Sequence, residues 1–194
     1  MTANLRVMIA TDQIAARVQQ LAQQIDAHYA PRQTASETAT NDAHCETNTT
    51  AEKLVVVGLL RGSVMFLADL CRAMHHPHEI DFMTVSSYGN QTISSGEVKV
   101  VKDLDSSIAG KHVLIVEDII DTGHTLNNVL QLLHTREPLS ISLCCLINKP
   151  SRRQVQVNVQ FKGFDIADRF IVGYGLDYAE QYRHLPYIAE LQLD

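Results

Sequence analysis

VLIVEDIIDTGHTL (Val113–Leu126) sets four apolar residues before Glu117-Asp118, adds a third carboxylate at Asp121, and then breaks into Thr122-Gly123-His124-Thr125. The apolar run reads as a buried strand, Val113–Glu117. The residues after the break, TLNNVLQLLHT, place Leu126, Val129, Leu130 and Leu133 on one helical face. A strand, a short turn and an amphipathic helix are one step of a parallel α/β sheet. In such sheets ligands sit beyond the carboxyl ends of the strands, and Glu117 and Asp118 are expected at such an end. Three crowded carboxylates repel one another, so something there has to compensate. Gly123 permits close backbone approach. The hydroxyls of Thr122 and Thr125 and the amides of the helix start can hold a phosphate. The segment offers acceptors for sugar hydroxyls or a cation beside donors for a phosphate. A phosphorylated sugar with a divalent metal satisfies both.

The surrounding chain carries the same alternation. Ile14, Val18, Leu21, Ile25 and Tyr29 recur at helical steps over Thr11–Ala30, with Thr11 or Asp12 as the expected N-cap. Pro31 ends that helix. Residues 31–52 contain no aliphatic side chain larger than Ala and read as a polar, mobile loop. LVVVG (Leu54–Gly58) is a buried strand, VMFLADLCRAM a helix, HEIDFMTVSSY (His78–Tyr88) a strand, VKVVKDL its returning partner, and SISLCCLINK (Ser140–Lys149) another strand. Short strands and turns are expected after it. The whole chain reads as one mostly parallel α/β domain with helices on the sheet.

Composition narrows the function. The 194 residues are 45% hydrophobic with a net charge of −6, so no general basic footprint marks nucleic acid or an anionic membrane. No apolar run approaches the ~18 residues that span a bilayer. MTANLRVMIATDQ has no continuous apolar stretch and is expected to be mature protein. Cys45, Cys71, Cys144 and Cys145 form no C-x-x-C, a pattern of free thiols in a reducing cytoplasm. His44-Cys45 is too isolated for a metal site. A Walker A loop is excluded because the segment lacks its first Gly and its Lys. An aspartic protease needs a second facing aspartate, and this chain has one Asp-Thr-Gly. A charged strand end with a helix cap would explain a lone Asp-Thr-Gly, but explains the three clustered carboxylates poorly.

VLIVEDIIDTGHTL resembles the phosphoribosyl pyrophosphate (PRPP) motif of the purine phosphoribosyltransferases. LLRGSVMFLADL resembles their pyrophosphate loop and SSYG their flexible active-site loop. KPSRR and FIVGYGLDYAEQYRHLPYI resemble their base-binding and C-terminal segments. Outside residues 31–52, nearly the whole chain is similar to bacterial hypoxanthine phosphoribosyltransferases. The resemblance implies a type I phosphoribosyltransferase fold, with a core at about 50–150 and a small hood subdomain from the N- and C-terminal segments of a single domain spanning residues 1–194. It implies transfer of 5-phosphoribose from PRPP to N9 of hypoxanthine, and of guanine, giving IMP or GMP and pyrophosphate with Mg²⁺. It suggests a cytoplasmic homodimer or homotetramer.

The resemblance also assigns roles. Asp121 is the general base at purine N7. Glu117, Asp118, Asp121, Thr122, Gly123, His124 and Thr125 bind PRPP, with His124 contributing backbone contacts only. Arg61, Gly62 and Arg183 bind pyrophosphate, in a loop that can carry a cis peptide before its basic residue. Lys149 donates to O6. Phe170 stacks on the base, Ile171 contacts its edge near Leu176, and Asp177 completes the purine side. Glu117, Asp118 and Asp177 are the Mg²⁺ residues. Ser87 and Tyr88 open the lid, which Gly89 and Gly96 allow to bend. A non-catalytic PRPP sensor of the same fold would call for a basic face or an added DNA-binding domain, and the acidic chain has neither. Tyr88→Ala is expected to leave the fold intact and lower turnover; unchanged turnover at saturating substrate would remove Tyr88 from the lid.

Overall fold

The computed structural model describes residues 4–30, 53–87 and 98–192. The expected mobile loop at 31–52, the His44-Cys45 pair, and Tyr88, Gly89 and Gly96 of the expected lid lie outside these residues. In chain order the elements are β1 (Asn4–Ile9), α1 (Thr11–Tyr29), β2 (Leu54–Leu60), α2 (Val64–Ala73), β3 (His78–Ser87), β4 (Val98–Lys102), β5 (His112–Ile120), α3 (His124–His134), β6 (Ser140–Asn148), a 3₁₀ turn (Pro150–Arg152), β7 (Phe161–Asp165), β8 (Ile171–Val172) and β9 (Ile188–Gln192).

The main sheet has the order β4-β3-β2-β5-β6-β7. All its neighbours are parallel except β4, which returns antiparallel to β3. From β2 the chain passes through α2 to β3 on one side; from β5 it passes through α3 to β6 on the other. The strand order therefore reverses between β2 and β5, the place where open α/β sheets leave a crevice. Because both crossovers share one hand, α2 and α3 fall on opposite faces. The core shows this directly. Leu54, Val56, Leu114, Val116, Cys144 and Leu146 pack with α1 and α2. Val55, Val57, Val113, Ile115, Leu143 and Cys145 pack with α3. Strands buried on both faces need β-branched and aliphatic runs rather than alternation with polar residues, which is why VVV and VLIV read so clearly.

A second, antiparallel sheet, β1-β9-β8, joins the start of the chain to its end. The sequence reading missed β1, because NLRVMI is mostly exposed and mixes charge with apolar residues; its pairing with β9 makes it a strand. The N-cap of α1 is Ala10, not Thr11 or Asp12. The Ala10 N–H donates to Gln13 Oε1 at 2.9 Å, so the reach-back from the third helical residue replaces the side-chain cap. Ile14, Val18, Leu21 and Ile25 are buried as their spacing predicts.

The correction that matters concerns β5. It runs to Ile120, three residues past Glu117, so Glu117 and Asp118 lie within the strand rather than at its end. β6 extends with it, pairing Ile119 with Ile147 and Ile120 with Asn148. Leu114 is fully buried between the sheet and α1 and α2. Leu114→Ala should cost about 2–5 kcal/mol, read as a lower midpoint in chemical denaturation with an unchanged slope.

Candidate active site

β2 and β5 stay paired only as far as Gly58 and Val116. Beyond that register β2 follows β3 to Leu60 and Thr84, while β5 follows β6. Glu117 and Asp118 occupy the gap where the two strands part. The regular alternation of β5 also ends here: Ile119 packs with the first core cluster and Ile120 with the second. The backbone after β2 fills the other side of the gap. The Leu60–Arg61 peptide is cis, and a Cβ on Gly62 would overlap the Asp118 carboxylate. Gly62 is therefore required by close approach, not by its backbone angles. Ser63 closes the turn, its hydroxyl donating to Leu59 O at 2.5 Å.

Asp118 and the Oε2 atom of Glu117 are out of water. Glu117 is pushed well above the ordinary carboxylate range, first by burial and then by the charge of Asp118. Its Oε2 is buried and has no hydrogen-bond partner among the described residues. Asp118 is pushed up to about 6 by burial, with Asp177 adding repulsion, while backbone N–H bonds and Arg183 pull the other way. An orphaned carboxylate oxygen beside a second raised carboxyl is a site that a cation would relieve. No three His, Cys, Asp or Glu side chains among the described residues form a closed metal cage. The donors are all hard oxygens, which fits Mg²⁺ completed by water and substrate oxygens.

The turn expected to hold a phosphate follows the same strand. Gly123 is left-handed, φ 91°, and a Cβ there would meet Val155 O at 2.5 Å. α3 starts at His124, one residue earlier than its pattern suggests, and Asn127 N–H donates to Gly123 O at 2.9 Å. The amides before Asn127 have no acceptor within the helix and converge on its N-terminus. Thr122 O takes N–H bonds from Gln154 and Val155, both at 3.0 Å. His124 bonds its ring to Gln154 Oε1 at 3.0 Å and faces solvent, in keeping with a backbone role only.

The segment after β6 lies across this loop. Lys149 N–H donates to Ile120 O at 3.0 Å. The Lys149 side chain is buried, with Nζ donating to Arg169 O at 2.6 Å and lying 3.6 Å from Asp168 Oδ1 as an ion pair. A lysine held dry at a strand end differs from the solvated one a strand end usually carries. Arg152, which the sequence reading quoted but gave no role, bonds Asp121 Oδ1 through Nε at 3.0 Å and reaches Asp168 Oδ2 at 3.7 Å. Two consecutive arginines after a strand end were the signal available for it. Arg153 bonds Asn148 Oδ1 and lies under Gly123.

The C-terminal segment closes the other side. Phe170 is exposed and meets Tyr178 edge-to-face at 5.6 Å. Ile171 and Leu176 are buried. Arg183 Nη2 pairs with Asp177 Oδ1 at 2.9 Å, and Arg61 Nη1 with Glu180 Oε2 at 3.0 Å. Gly175 packs against Gly62 so closely that a Cβ would overlap its carbonyl. Arg61, Gly62, Asp118, Asp177 and Arg183 thus form one linked group, and Asp121, Lys149 and Arg152 a second. Ser87 ends β3, three residues beyond the Thr84 that pairs with Leu60; its backbone alone is described.

The phosphoribosyl transferase domain family matches residues 10–179. Hypoxanthine phosphoribosyltransferase of Salmonella typhimurium is 50% identical over 189 residues, 97% of this chain and 96% of the relative. Hypoxanthine-guanine phosphoribosyltransferase of Bacillus subtilis is 51% identical over 138 residues, 71% of this chain and 77% of the relative. Among solved structures, a hypoxanthine phosphoribosyltransferase from Staphylococcus aureus superposes with a TM-score of 0.83 at 40% identity, covering 96% of this chain and 91% of the other. A ternary substrates complex of the Trypanosoma cruzi hypoxanthine phosphoribosyltransferase gives 0.84 at 36%, covering 98% and 96%. Gly123→Ala should force the phosphate loop off Val155 and weaken binding of a 5′-phosphate by about tenfold or more, given ~1–3 kcal/mol of strain at such a position; equilibrium titration with IMP measures it.

Proposed function

The chain belongs to the phosphoribosyltransferase family and has the type I phosphoribosyltransferase fold, and from that premise we propose that it salvages 6-oxopurines: it moves 5-phosphoribose from PRPP to N9 of hypoxanthine, and of guanine, releasing pyrophosphate. The observation that carries this is the pair of groups above: carboxylates in a crevice beside an anion-binding turn, and a dry lysine beside an aspartate.

Breaking the bond at the anomeric carbon builds positive charge on the ribose. Glu117 and Asp118, already crowded and desolvated, gain by facing that charge. The α3 N-terminus with Thr122, Gly123 and Thr125 receives the 5′-phosphate. Arg61, the Gly62 backbone and Arg183 receive pyrophosphate. When bound, Mg²⁺ supplies charge neutralisation on the phosphate oxygens; Asp177, Glu117 and Asp118 are the residues that would hold it.

The purine sits with O6 on Lys149 and N7 on Asp121. Lys149 Nζ exchanges the Arg169 carbonyl for O6, an acceptor that adenine lacks, so adenine leaves the ammonium unpaired and is rejected. Asp121 must part from Arg152 to accept the N7 proton as N9 attacks. Phe170, exposed until a base stacks on it, supplies the flat face. Ile171, Leu176 and Asp177 flank the 2-position edge, where hypoxanthine and guanine differ. The small sheet is read as the hood of a single domain, with Ser87 and Tyr88 opening the lid. We read the protein as a cytoplasmic homodimer or homotetramer; its free thiols support a reducing compartment, and no helix among the described residues is long and apolar enough to cross a membrane.

A steady-state assay with Mg²⁺ and PRPP tests the reading, offering hypoxanthine, guanine, xanthine and adenine in turn. IMP and pyrophosphate should form, adenine should not react, and EDTA should abolish turnover; PRPP binding without turnover on any base would leave a sensor instead. Asp121→Asn should keep PRPP affinity and cut kcat about 10²-fold or more, the usual worth of a positioned base. Near wild-type turnover would refute that assignment.

A further inference from the structure

Glu180 has no role in the reaction as described, yet its carboxylate sits on both pyrophosphate arginines. Its Oε2 lies 3.0 Å from Arg61 Nη1 and 3.3 Å from Arg183 Nη2. The two cations come from opposite sides of the crevice, one after β2 and the other before β9. Arg183 is anchored independently, with Nη1 donating to Gly175 O at 2.8 Å. The position of Glu180 is not casual. Its N–H donates to Asp177 Oδ2 at 2.9 Å, and the backbone is left-handed at Ala179 (φ 50°), Glu180 (φ 62°) and Tyr182 (φ 74°). Residues other than Gly hold such angles only where their surroundings impose them. The loop spends that conformation on aiming one carboxylate at two guanidinium groups.

We infer that Glu180 is an internal stand-in for pyrophosphate: it occupies the arginine pair when the ligand is away and is displaced by it, so it weakens pyrophosphate binding and eases its release. This rests on the assignment of Arg61 and Arg183 to pyrophosphate. The exposure of the pair fits the role, since the Arg61 and Glu180 side chains are 70% and 66% accessible. An ion pair so open to water holds weakly and yields to a more highly charged anion. A buried pair would be a fixed strut. The displaced carboxylate stays within reach, and its negative charge then opposes the ligand that replaced it.

The test is calorimetric titration of magnesium pyrophosphate into wild type, Glu180→Gln, Glu180→Gly and Arg61→Ala, at low and high salt. Gln keeps the size of the side chain, and Gly suits the left-handed backbone, so at least one variant retains the loop. Both Glu180 variants should bind about two- to fivefold tighter than wild type, as loss of one exposed charge contact predicts. The gain should shrink at high salt, and pyrophosphate should inhibit the forward reaction at correspondingly lower concentration. Unchanged or weaker binding in both variants overturns the stand-in while leaving the pyrophosphate assignment whole. Absence of binding to wild type, or an Arg61→Ala variant that binds as wild type does, overturns the assignment and the inference together.

Discussion

Everything distinctive in this molecule depends on two adjacent parallel strands parting company. β2 and β5 share hydrogen bonds as far as Gly58 and Val116, then each follows its other neighbour. The parting opens a slot lined by backbone on one side and carboxylates on the other. Closure of the sheet would have placed Glu117 and Asp118 against a paired strand, where no water and no ligand could reach them. Because the strand order reverses there, the slot is a property of topology, and the residues exploit it.

Burial then does the electrostatic work. Two adjacent carboxyls held away from water resist ionisation, and the upward displacement of both expresses that cost. The surrounding cations are arranged around, rather than on, the orphaned Glu117 oxygen. Arg183 neutralises Asp177, Arg152 neutralises Asp121, and Glu180 neutralises Arg61. Each of these partners occupies a group to which the proposed function gives a part. Apart from the orphaned Glu117 oxygen, these charges are met in pairs rather than left single.

The segment after β6 and the turn after β5 are also mechanically joined. The segment after β6 gives N–H bonds from Lys149 to Ile120 O, and from Gln154 and Val155 to Thr122 O. Lys149 and the Thr122–Thr125 turn are thus set on one another through backbone, with Asp121 between the acceptors Ile120 and Thr122 in the chain. Such preorganisation fixes the separations of Asp121, Lys149 and the turn, and fixed separations are what transfer between two bound reactants requires.

The local patterns in the chain were enough for much of this. VLIVEDIIDTGHTL yielded the strand, the turn and the helix, because a strand buried on both faces must be continuously apolar and an amphipathic helix repeats its apolar residues every 3.6 positions. The stripe of α1 followed from its 3.6-residue period. What escaped was set by distant partners. β1 is a strand because β9 pairs with it, and β5 outruns its apolar segment because β6 continues beside it. Arg152 and Glu180 received no role from the sequence, and only the folded chain brings them to Asp121, Arg61 and Arg183. By itself the sequence determined element types, their order and the chemistry available at the turns, since these depend on near neighbours. Tertiary structure decided which charges meet and which carboxylates lose their water, because both depend on approach between residues as far apart in the chain as 61 and 180.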